Sequence, residues 1–233
     1  AETRAMTQAS PSDDALTAAM RSAVALERDA LDALAAALGA DALSAVRLMA
    51  GVKGRVICAG VGKSGHVARK IAATLASTGT PAQFVHPSEA SHGDLGMITP
   101  EDCVLALSKS GETRELGDMI AYCRRFAVPL LGMTAKPDST LAKGSDILLL
   151  IPDAPEACGE TRAPTTSTTL MMAYGDALAI GLIEARGFTA SQFARFHPGG
   201  ALGSALSKAE DLMHAGEAMP LIGAGATMGE ALI

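Results

Sequence analysis

Aromatic residues are scarce in this sequence, and basic residues are outnumbered by acidic ones. The chain has no Trp, 2 Tyr and 5 Phe among 233 residues, so it offers little for stacking on nucleic-acid bases. Its 25 Asp and Glu exceed its 19 Lys and Arg, which gives a formal net charge of −6. Proteins that bind nucleic acid or an anionic membrane surface usually carry the opposite charge. The composition therefore argues against both partners.

Long apolar runs and paired cysteines are also missing. No uninterrupted apolar run approaches the roughly 20 residues that span a bilayer, and the N-terminus is polar rather than signal-like. The four cysteines show no C-x-x-C spacing; they are Cys58, Cys103, Cys123 and Cys158. Scattered cysteines of this kind are typical of reduced thiols. We therefore expect a cytoplasmic globular protein with an aliphatic core that includes many of its 11 Met residues.

The segment Ile57–His66 joins an apolar run to a helical pattern through three glycines. A strand that ends in a glycine turn at a helix N-terminus is a typical anion site. Free backbone N–H groups and the positive end of the helix dipole point at the same spot. Ser64 adds a hydroxyl donor there, and Lys63 adds a positive charge. The segment therefore predicts a ligand that carries phosphate.

Two nucleotide-binding motifs overlap this segment. The three glycines fit G-x-G-x-x-G, but the acidic residue expected about twenty positions further on in dinucleotide-binding proteins is poorly matched. A Walker A loop ending in Gly62-Lys63-Ser64 would need a glycine where the chain has Ile57, which excludes that motif. A dinucleotide-dependent oxidoreductase and a tight glycine turn without a ligand remain as alternatives.

Apolar strand patterns alternate with helix patterns through the middle of the chain. Five segments have strand character: Arg55–Ala59, Ala82–Val85, Cys103–Leu107, Pro129–Met133 and Ile147–Leu150. This alternation predicts an α/β fold with a doubly wound parallel sheet and helices on both faces. Ligands of such folds bind beyond the carboxyl ends of the strands. Two Ala-rich helices, Ala15–Leu38 and Ala42–Ala50, precede the sheet, and we expect them to contact another subunit or the rest of the chain.

The segment Ser108–Thr113 follows the third strand and has the same features as the loop after the first strand. Three hydroxyls beside a glycine at a helix start exceed what helix capping requires. Two hydroxyl-rich loops on neighbouring strands favour a single phosphate, as in a phosphomonoester. Glu115, in the first turns of the following helix, is either a partner of the helix dipole or a general base. Glu112 is the competing candidate for the base, and the sequence does not separate the two.

Three of the five histidines fall in turn-rich segments flanked by glycine: His86, His92 and His197. Such positions favour acid–base chemistry or metal binding over a place in the core. His86 and His92 are six positions apart, which is no standard spacing of metal ligands. Metal binding is therefore the weaker interpretation.

Four longer motifs occur in order along the chain: GVGKSGHVARKIAATLASTGTPAQFVHPSEASHGDLGMIT, LSKSGETREL, APTTSTTL and RGFTASQFARFHPGGALG. Over residues 15–206 the chain resembles the D-arabinose-5-phosphate isomerases of the sugar isomerase (SIS) domain superfamily. The resemblance implies a five-stranded parallel sheet flanked by helices, with an SIS domain over residues 15–207. Residues 1–14 are then expected to form a disordered N-terminus, and residues 208–233 the start of a truncated CBS module.

The resemblance also implies an activity. The family interconverts D-arabinose 5-phosphate and D-ribulose 5-phosphate through a cis-enediol, the first committed step toward the lipopolysaccharide sugar Kdo. It implies a homotetramer with no required cofactor. The alternative is a non-catalytic SIS domain that binds a sugar phosphate and regulates another process.

Site residues follow from the resemblance by motif. The implied catalytic residues are Lys63, Glu115, Glu156 and His197. The implied substrate-binding residues are Ser64, Gly79, Thr80, His86, His92, Ser108, Ser110 and Thr113. His86 is also implied as a zinc ligand, although zinc is expected to be dispensable for turnover. The chain departs from the family pattern EACPLGLAPTTSTT with Glu156-Ala157-Cys158-Gly159-Glu160-Thr161-Arg162-Ala163-Pro164, and the added charges bear on substrate preference.

Overall fold

The computed structural model describes residues 10–161, 163–197, 213–214, 216, 219 and 221–231. The chain divides into two compact units, Ala1–Phe188 and Thr189–Ile233. Most of the predicted disordered N-terminus and much of the predicted CBS start lie outside the described residues. The predicted end of the SIS domain at residue 207 falls within the second unit, and that boundary stays a prediction.

A parallel sheet of five strands forms the centre of the first unit. The strands are β1 Val56–Gly60, β2 Ala82–Phe84, β3 Cys103–Leu107, β4 Leu130–Thr134 and β5 Ile147–Leu150. Their order across the sheet is β2-β1-β3-β4-β5, and all neighbouring pairs are parallel. This confirms the predicted architecture, and each strand lies within one residue of its predicted bounds. The order reverses between β1 and β3, so the switch point where ligands bind in such folds lies between their carboxyl ends.

Seven helices accompany the described part of this sheet. They are α1 Asp13–Ala37, α2 Ala40–Gly51, α3 Gly62–Ser77, α4 Pro87–Ala90, α5 Gly117–Phe126, α6 Thr140–Gly144 and α7 Thr166–Arg186. Short 3₁₀ turns cover Asp94–Met97, Arg114–Leu116 and Gly159–Thr161. Helix α1 begins two residues before its predicted start, because the Ser12 hydroxyl caps it by accepting the Ala15 N–H. The helix expected after the Ser108–Thr113 segment opens with the second of these 3₁₀ turns, a common way to start a helix.

Both faces of the sheet are covered. Strands β1 and β3 are buried along their whole length, which explains their uninterrupted apolar sequences. Helices α1, α2, α3 and α7 pack on one face, and α4, α5 and α6 pack on the other. Helix α3 therefore follows β1 onto one face, while α5 follows β3 onto the opposite face. The chain leaves β1 and β3 toward opposite faces of the sheet, and in folds of this kind the ligand crevice lies between two such strand ends.

The Ala-rich helices α1 and α2 pack within the chain as well as facing outward. Ala30, Leu34, Ala45 and Met49 are buried against the sheet unit, whereas Leu16, Met20 and Val24 are exposed. Within the described residues, no single helix is long and apolar enough to cross a membrane. Only α1 and α2 together satisfy that test, with a bend of 75° between them. All four cysteines are free.

The second unit contains α8 Ala190–Phe196 and α9 Met228–Ala231. The sequence around α8 reads as irregular, but a capping box starts the helix there. The Thr189 hydroxyl accepts the Gln192 N–H, and the Gln192 side chain accepts the Thr189 N–H. The Thr-x-x-Gln spacing is the sequence signal from which this helix start could have been predicted.

Candidate functional site

The first predicted anion site lies where β1 ends and α3 begins. Lys63 is exposed and Ser64 half-buried in the first turn of α3, and no side chain among the described residues caps the N-terminus of this helix. Its first backbone N–H groups therefore remain suited to an anion. Gly65 lets the helix approach the strand closely, since a Cβ on it would lie 2.6 Å from the Gly60 carbonyl oxygen. The glycine motif thus has a packing role in addition to its proposed binding role.

The second predicted anion site, Ser108–Thr113, is a loop braced by its own hydroxyls. The buried Ser108 hydroxyl accepts the Gly111 N–H at 3.0 Å and lies 2.8 Å from the Thr113 hydroxyl. The Ser110 hydroxyl is exposed and accepts the Glu112 N–H at 3.2 Å. Gly111 adopts the left-handed conformation with φ +67°. The loop is a preformed turn in which Ser110 presents the most accessible hydroxyl.

Contacts with the neighbouring strand hold this loop in place. The Lys109 carbonyl oxygen accepts the Thr134 hydroxyl at 3.0 Å and the Ala135 N–H at 3.1 Å. The Gly111 carbonyl accepts the Leu141 N–H at 3.0 Å. The loop after β3 is therefore tied to the end of β4 and to α6. Such support keeps its donors in place before a ligand arrives.

The structure separates the two carboxylates that compete for the role of base. Glu112 accepts the Thr140 hydroxyl at 2.7 Å and the Thr140 N–H at 2.8 Å, and so caps α6. These hydrogen bonds lower the pKa of Glu112. Glu115 is exposed in the 3₁₀ turn Arg114–Leu116 and accepts no hydrogen bond from any described residue. Glu115 is therefore the carboxylate that remains available beside the loop.

Glu156 lies between β5 and α7 in a dense cluster of donors. Its Oε1 accepts Lys109 Nζ and the Ser167 hydroxyl, both at 2.6 Å. Its Oε2 accepts the Thr165 N–H at 2.8 Å, the Ser167 N–H at 3.2 Å and the Thr165 hydroxyl at 3.3 Å. Burial alone raises the pKa of Glu156, but the hydrogen bonds from Lys109, Ser167 and Thr165 outweigh it and lower the pKa to about 2. The side chain is only 7% exposed, so this carboxylate is held as an anion.

This cluster predicts how the stability of the protein depends on pH. The folded-state pKa of Glu156 lies below its ordinary value of 4.5, so its stabilisation is complete above that pH and disappears as the pH falls toward 2. The free energy of unfolding should fall between pH 7 and pH 3 in both proteins. We expect the fall to be about 2 kcal/mol smaller in Glu156→Gln than in the wild type. Urea unfolding at both pH values measures the difference. Glu115→Gln, at an exposed and unengaged carboxylate, should behave like the wild type; an equal pH dependence in Glu156→Gln would contradict the expectation.

His86 and His92 lie around the short helix α4. His86 is half-buried and caps α4, with its Nδ1 accepting the Ser88 N–H at 3.2 Å, and His92 is exposed just after the helix. Among the described residues, no group of three or more His, Cys, Asp or Glu side chains could hold a metal ion. Zinc binding at His86 stays a prediction.

Gly79 and Thr80 lie far from the anion loops within one chain. They follow the C-terminus of α3 and precede β2, at the amino edge of the sheet. The 16 residues of α3 span roughly 24 Å, so these two residues lie about that far from Ser64. Thr80 is buried, and its hydroxyl has no hydrogen-bond partner among the described residues. Their substrate-binding role stays a prediction that one chain alone does not fulfil at the switch point.

His197 belongs to the second unit, at the end of α8. Its ring stacks on Phe193 with 3.9 Å between ring centroids, and its Nδ1 lies 2.9 Å from the Phe193 carbonyl oxygen. A carbonyl can only accept, so Nδ1 donates and Nε2 is the nitrogen left to exchange a proton. The Pro-Gly-Gly that follows lies outside the described residues.

The segment that departs from the family pattern follows Glu156 directly. The Cys158 thiol donates to the Ala163 carbonyl oxygen at 3.1 Å, and Gly159–Thr161 form a 3₁₀ turn. Arg162, one of the added charges, lies outside the described residues. The departure therefore closes a local turn beside the Glu156 cluster.

Comparisons of sequence agree with this geometry. A family model described as the SIS domain matches residues 49–181. The arabinose 5-phosphate isomerase KdsD of Pseudomonas aeruginosa is 54% identical over 211 residues, which cover 90% of this chain and 65% of the relative. The protein of the same name from Escherichia coli K12 is 47% identical, over 90% of this chain and 64% of the relative. The chain thus spans somewhat less than two thirds of the length of these relatives.

Solved structures give the same family. The Escherichia coli CFT073 protein c3406, solved in complex with A5P, is 36% identical with a TM-score of 0.77, over 81% of this chain and 100% of that one. A putative sugar-phosphate isomerase of Listeria monocytogenes is 31% identical with a TM-score of 0.77, over 82% of this chain and 100% of that one. The five-stranded sheet, the two loops at its switch point and these matches lead to one conclusion. The chain belongs to the SIS domain family.

Proposed function

We propose that the chain is an arabinose-5-phosphate isomerase that interconverts D-arabinose 5-phosphate and D-ribulose 5-phosphate. The names of the curated relatives and the A5P-bound neighbour support this substrate. The observation that carries the proposal is the pairing of a preformed anion loop with an unengaged carboxylate, Glu115, at the switch point of the sheet. A site that only binds a sugar phosphate needs the loop but has no use for the carboxylate.

The reaction moves a proton between C2 and C1 of the open-chain sugar. Glu115 removes the proton from C2 of the aldose to give a cis-enediol, and a proton is then delivered to C1 to give the ketose. A carboxylate on a short, supported turn suits this transfer, because it must reach both carbons. Phosphate binding at the loop supplies binding energy remote from the reacting carbons and positions them against the base.

The remaining implied residues have roles that this chemistry requires. Lys63 and His92 stabilise the negative charge that develops on the sugar oxygens. His197 opens the sugar ring through its Nε2. Ser64, Ser110 and the backbone N–H groups of both loops bind the phosphate.

The wider setting is also part of the proposal. We infer a cytoplasmic homotetramer that works without a required cofactor, with zinc at His86 dispensable for turnover. In tetramers, Gly79 and Thr80 of one subunit would complete a site of another. The isomerase would feed Kdo synthesis, and a CBS pair would follow the SIS domain.

An isomerase assay on the purified chain tests the proposal. D-arabinose 5-phosphate is supplied in the presence of a metal chelator, and ribulose 5-phosphate is measured. Glucose 6-phosphate and glucosamine 6-phosphate serve as control substrates. Turnover of the pentose phosphate alone supports the proposal, whereas tight binding without turnover would favour a non-catalytic sugar-phosphate sensor.

A further inference from the structure

We propose that Lys109 binds the substrate phosphate and that Glu156 is the positioning residue that holds Lys109 in place. This inference deepens the proposed function, because it rests on the anion loop being the place where a sugar phosphate binds. It gives Lys109 a role that the family motifs do not imply. It also gives Glu156, which the resemblance implies only as a catalytic residue, a positioning role.

Lys109 is fixed at both ends. Its backbone carbonyl accepts the Thr134 hydroxyl and the Ala135 N–H, so the start of its side chain has a set position. Its ammonium donates to Glu156 at 2.6 Å, and the side chain remains 34% exposed. An ammonium has three N–H groups, and the described residues accept only one of them. Two donors are therefore available at the loop.

Glu156 is a poor candidate for moving a proton. Five donors fill its two oxygens, and four of them are neutral groups of Thr165 and Ser167. Two of these donors are the backbone N–H groups of Thr165 and Ser167 at the N-terminus of α7, so a carboxylate already lies at that helix end. Because the neutral donors share the carboxylate, Lys109 keeps the capacity to bind a second anion. A phosphate is then directed to the Ser108–Thr113 loop rather than to α7.

Helix packing brings the other lysine of the site to the same edge of the sheet. Both α3 and α7 begin at the carboxyl edge, and α7 reaches the amino edge, where Arg186 donates to the Met49 carbonyl at 3.1 Å. Midway, Lys70 pairs with Asp176. Helix α3 begins eight residues before Lys70, and α7 begins ten residues before Asp176. The first turns of the two helices therefore lie at a similar height above the carboxyl edge of the sheet. Lys63 and Lys109 therefore approach the crevice from the same end, as a dianionic ligand would require.

Titration calorimetry with inorganic phosphate and with D-arabinose 5-phosphate tests this proposal. In Lys109→Gln the new side chain can still donate to Glu156 but has no charge. We expect this variant to bind both ligands about tenfold to hundredfold more weakly than the wild type. KM should rise by the same factor, while kcat falls by less than about threefold. Lys109→Arg should recover most of the affinity. Lys70→Met, at an exposed lysine that also pairs with a carboxylate, is the control and should bind both ligands as the wild type does.

Glu156→Gln tests the positioning role. We expect it to weaken phosphate binding in the same direction as Lys109→Gln and to leave the shape of the kcat–pH profile unchanged. Loss of one limb of that profile at normal phosphate affinity would instead make Glu156 a proton-transfer group and overturn the assignment. Should Lys109→Gln fail to fold, the double variant Lys109→Met/Glu156→Gln removes both charges and leaves no unpaired buried carboxylate.

The outcomes separate this inference from the proposed function. Phosphate binding that depends on Lys109 in a protein without isomerase turnover would reject the function and support the inference. Isomerase turnover with phosphate affinity within twofold of wild type in the Lys109 variants would reject the inference and support the function.

Discussion

Glu115→Gln is expected to lower kcat for D-arabinose 5-phosphate by about 10³-fold, because general acid–base catalysis contributes that much in comparable enzymes. Substrate affinity should stay within about threefold of wild type, since the phosphate is held by the loop and not by this side chain. Glu115 lies in the 3₁₀ turn that directly follows that loop, and it accepts no hydrogen bond from any described residue. Steady-state kinetics and calorimetry on the same preparation measure the two effects separately.

Glu112→Gln is the matched control, three residues away on the same loop. Glu112 is engaged with Thr140 at the start of α6, so its substitution should lower the melting temperature slightly and leave kcat near that of wild type. The reverse pattern, with an inactive Glu112→Gln and an active Glu115→Gln, would move the base to Glu112. An unchanged kcat in both variants would exclude the loop as its source.

Gly111→Ala is expected to destabilise the protein by about 2–5 kcal/mol and to abolish phosphate binding. Gly111 has φ +67°, which costs an L-residue about 1–2 kcal/mol. A Cβ there would also overlap the buried Ser139 side chain, which caps α6, and such overpacking costs typically 1–3 kcal/mol. The strain falls on the turn that aligns the donors of the loop.

Urea unfolding and phosphate titration measure the consequences of Gly111→Ala. Gly96→Ala is the control, because Gly96 has no positive φ and a Cβ there would meet no atom within 4 Å. It should change the free energy of unfolding by less than about 0.5 kcal/mol. A Gly111→Ala protein that binds phosphate as the wild type does would show that the loop geometry is not needed for binding.

The sheet could be predicted from the sequence because buried parallel strands read as continuous apolar runs. Cys103–Leu107 and Ile147–Leu150 stand in the structure at their predicted bounds. The carboxyl ends of the strands then located both anion loops, since glycine and hydroxyl residues follow β1 and β3 directly. The order of the strands across the sheet was not predicted and comes from the structure.

Side-chain partnerships could not be predicted in the same way. The Lys109–Glu156 pair joins residues 47 positions apart, and no local pattern marks it. The choice between Glu112 and Glu115 depends on Thr140, which folding brings next to the loop. The resemblance implied that Gly79 and Thr80 bind substrate, whereas the length of α3 separates them from Ser64 in a single chain.

Proton exchange with solvent tests most directly the claim that Glu115 transfers the proton of a sugar-phosphate isomerase. D-arabinose 5-phosphate is incubated with the wild type or with Glu115→Gln in D₂O, and proton NMR follows the signal of the hydrogen at C2. The wild type should exchange that hydrogen for deuterium and form ribulose 5-phosphate, whereas Glu115→Gln should bind the sugar phosphate and leave the signal intact. Exchange by Glu115→Gln at the wild-type rate, or substrate binding by the wild type without any exchange, would contradict the claim.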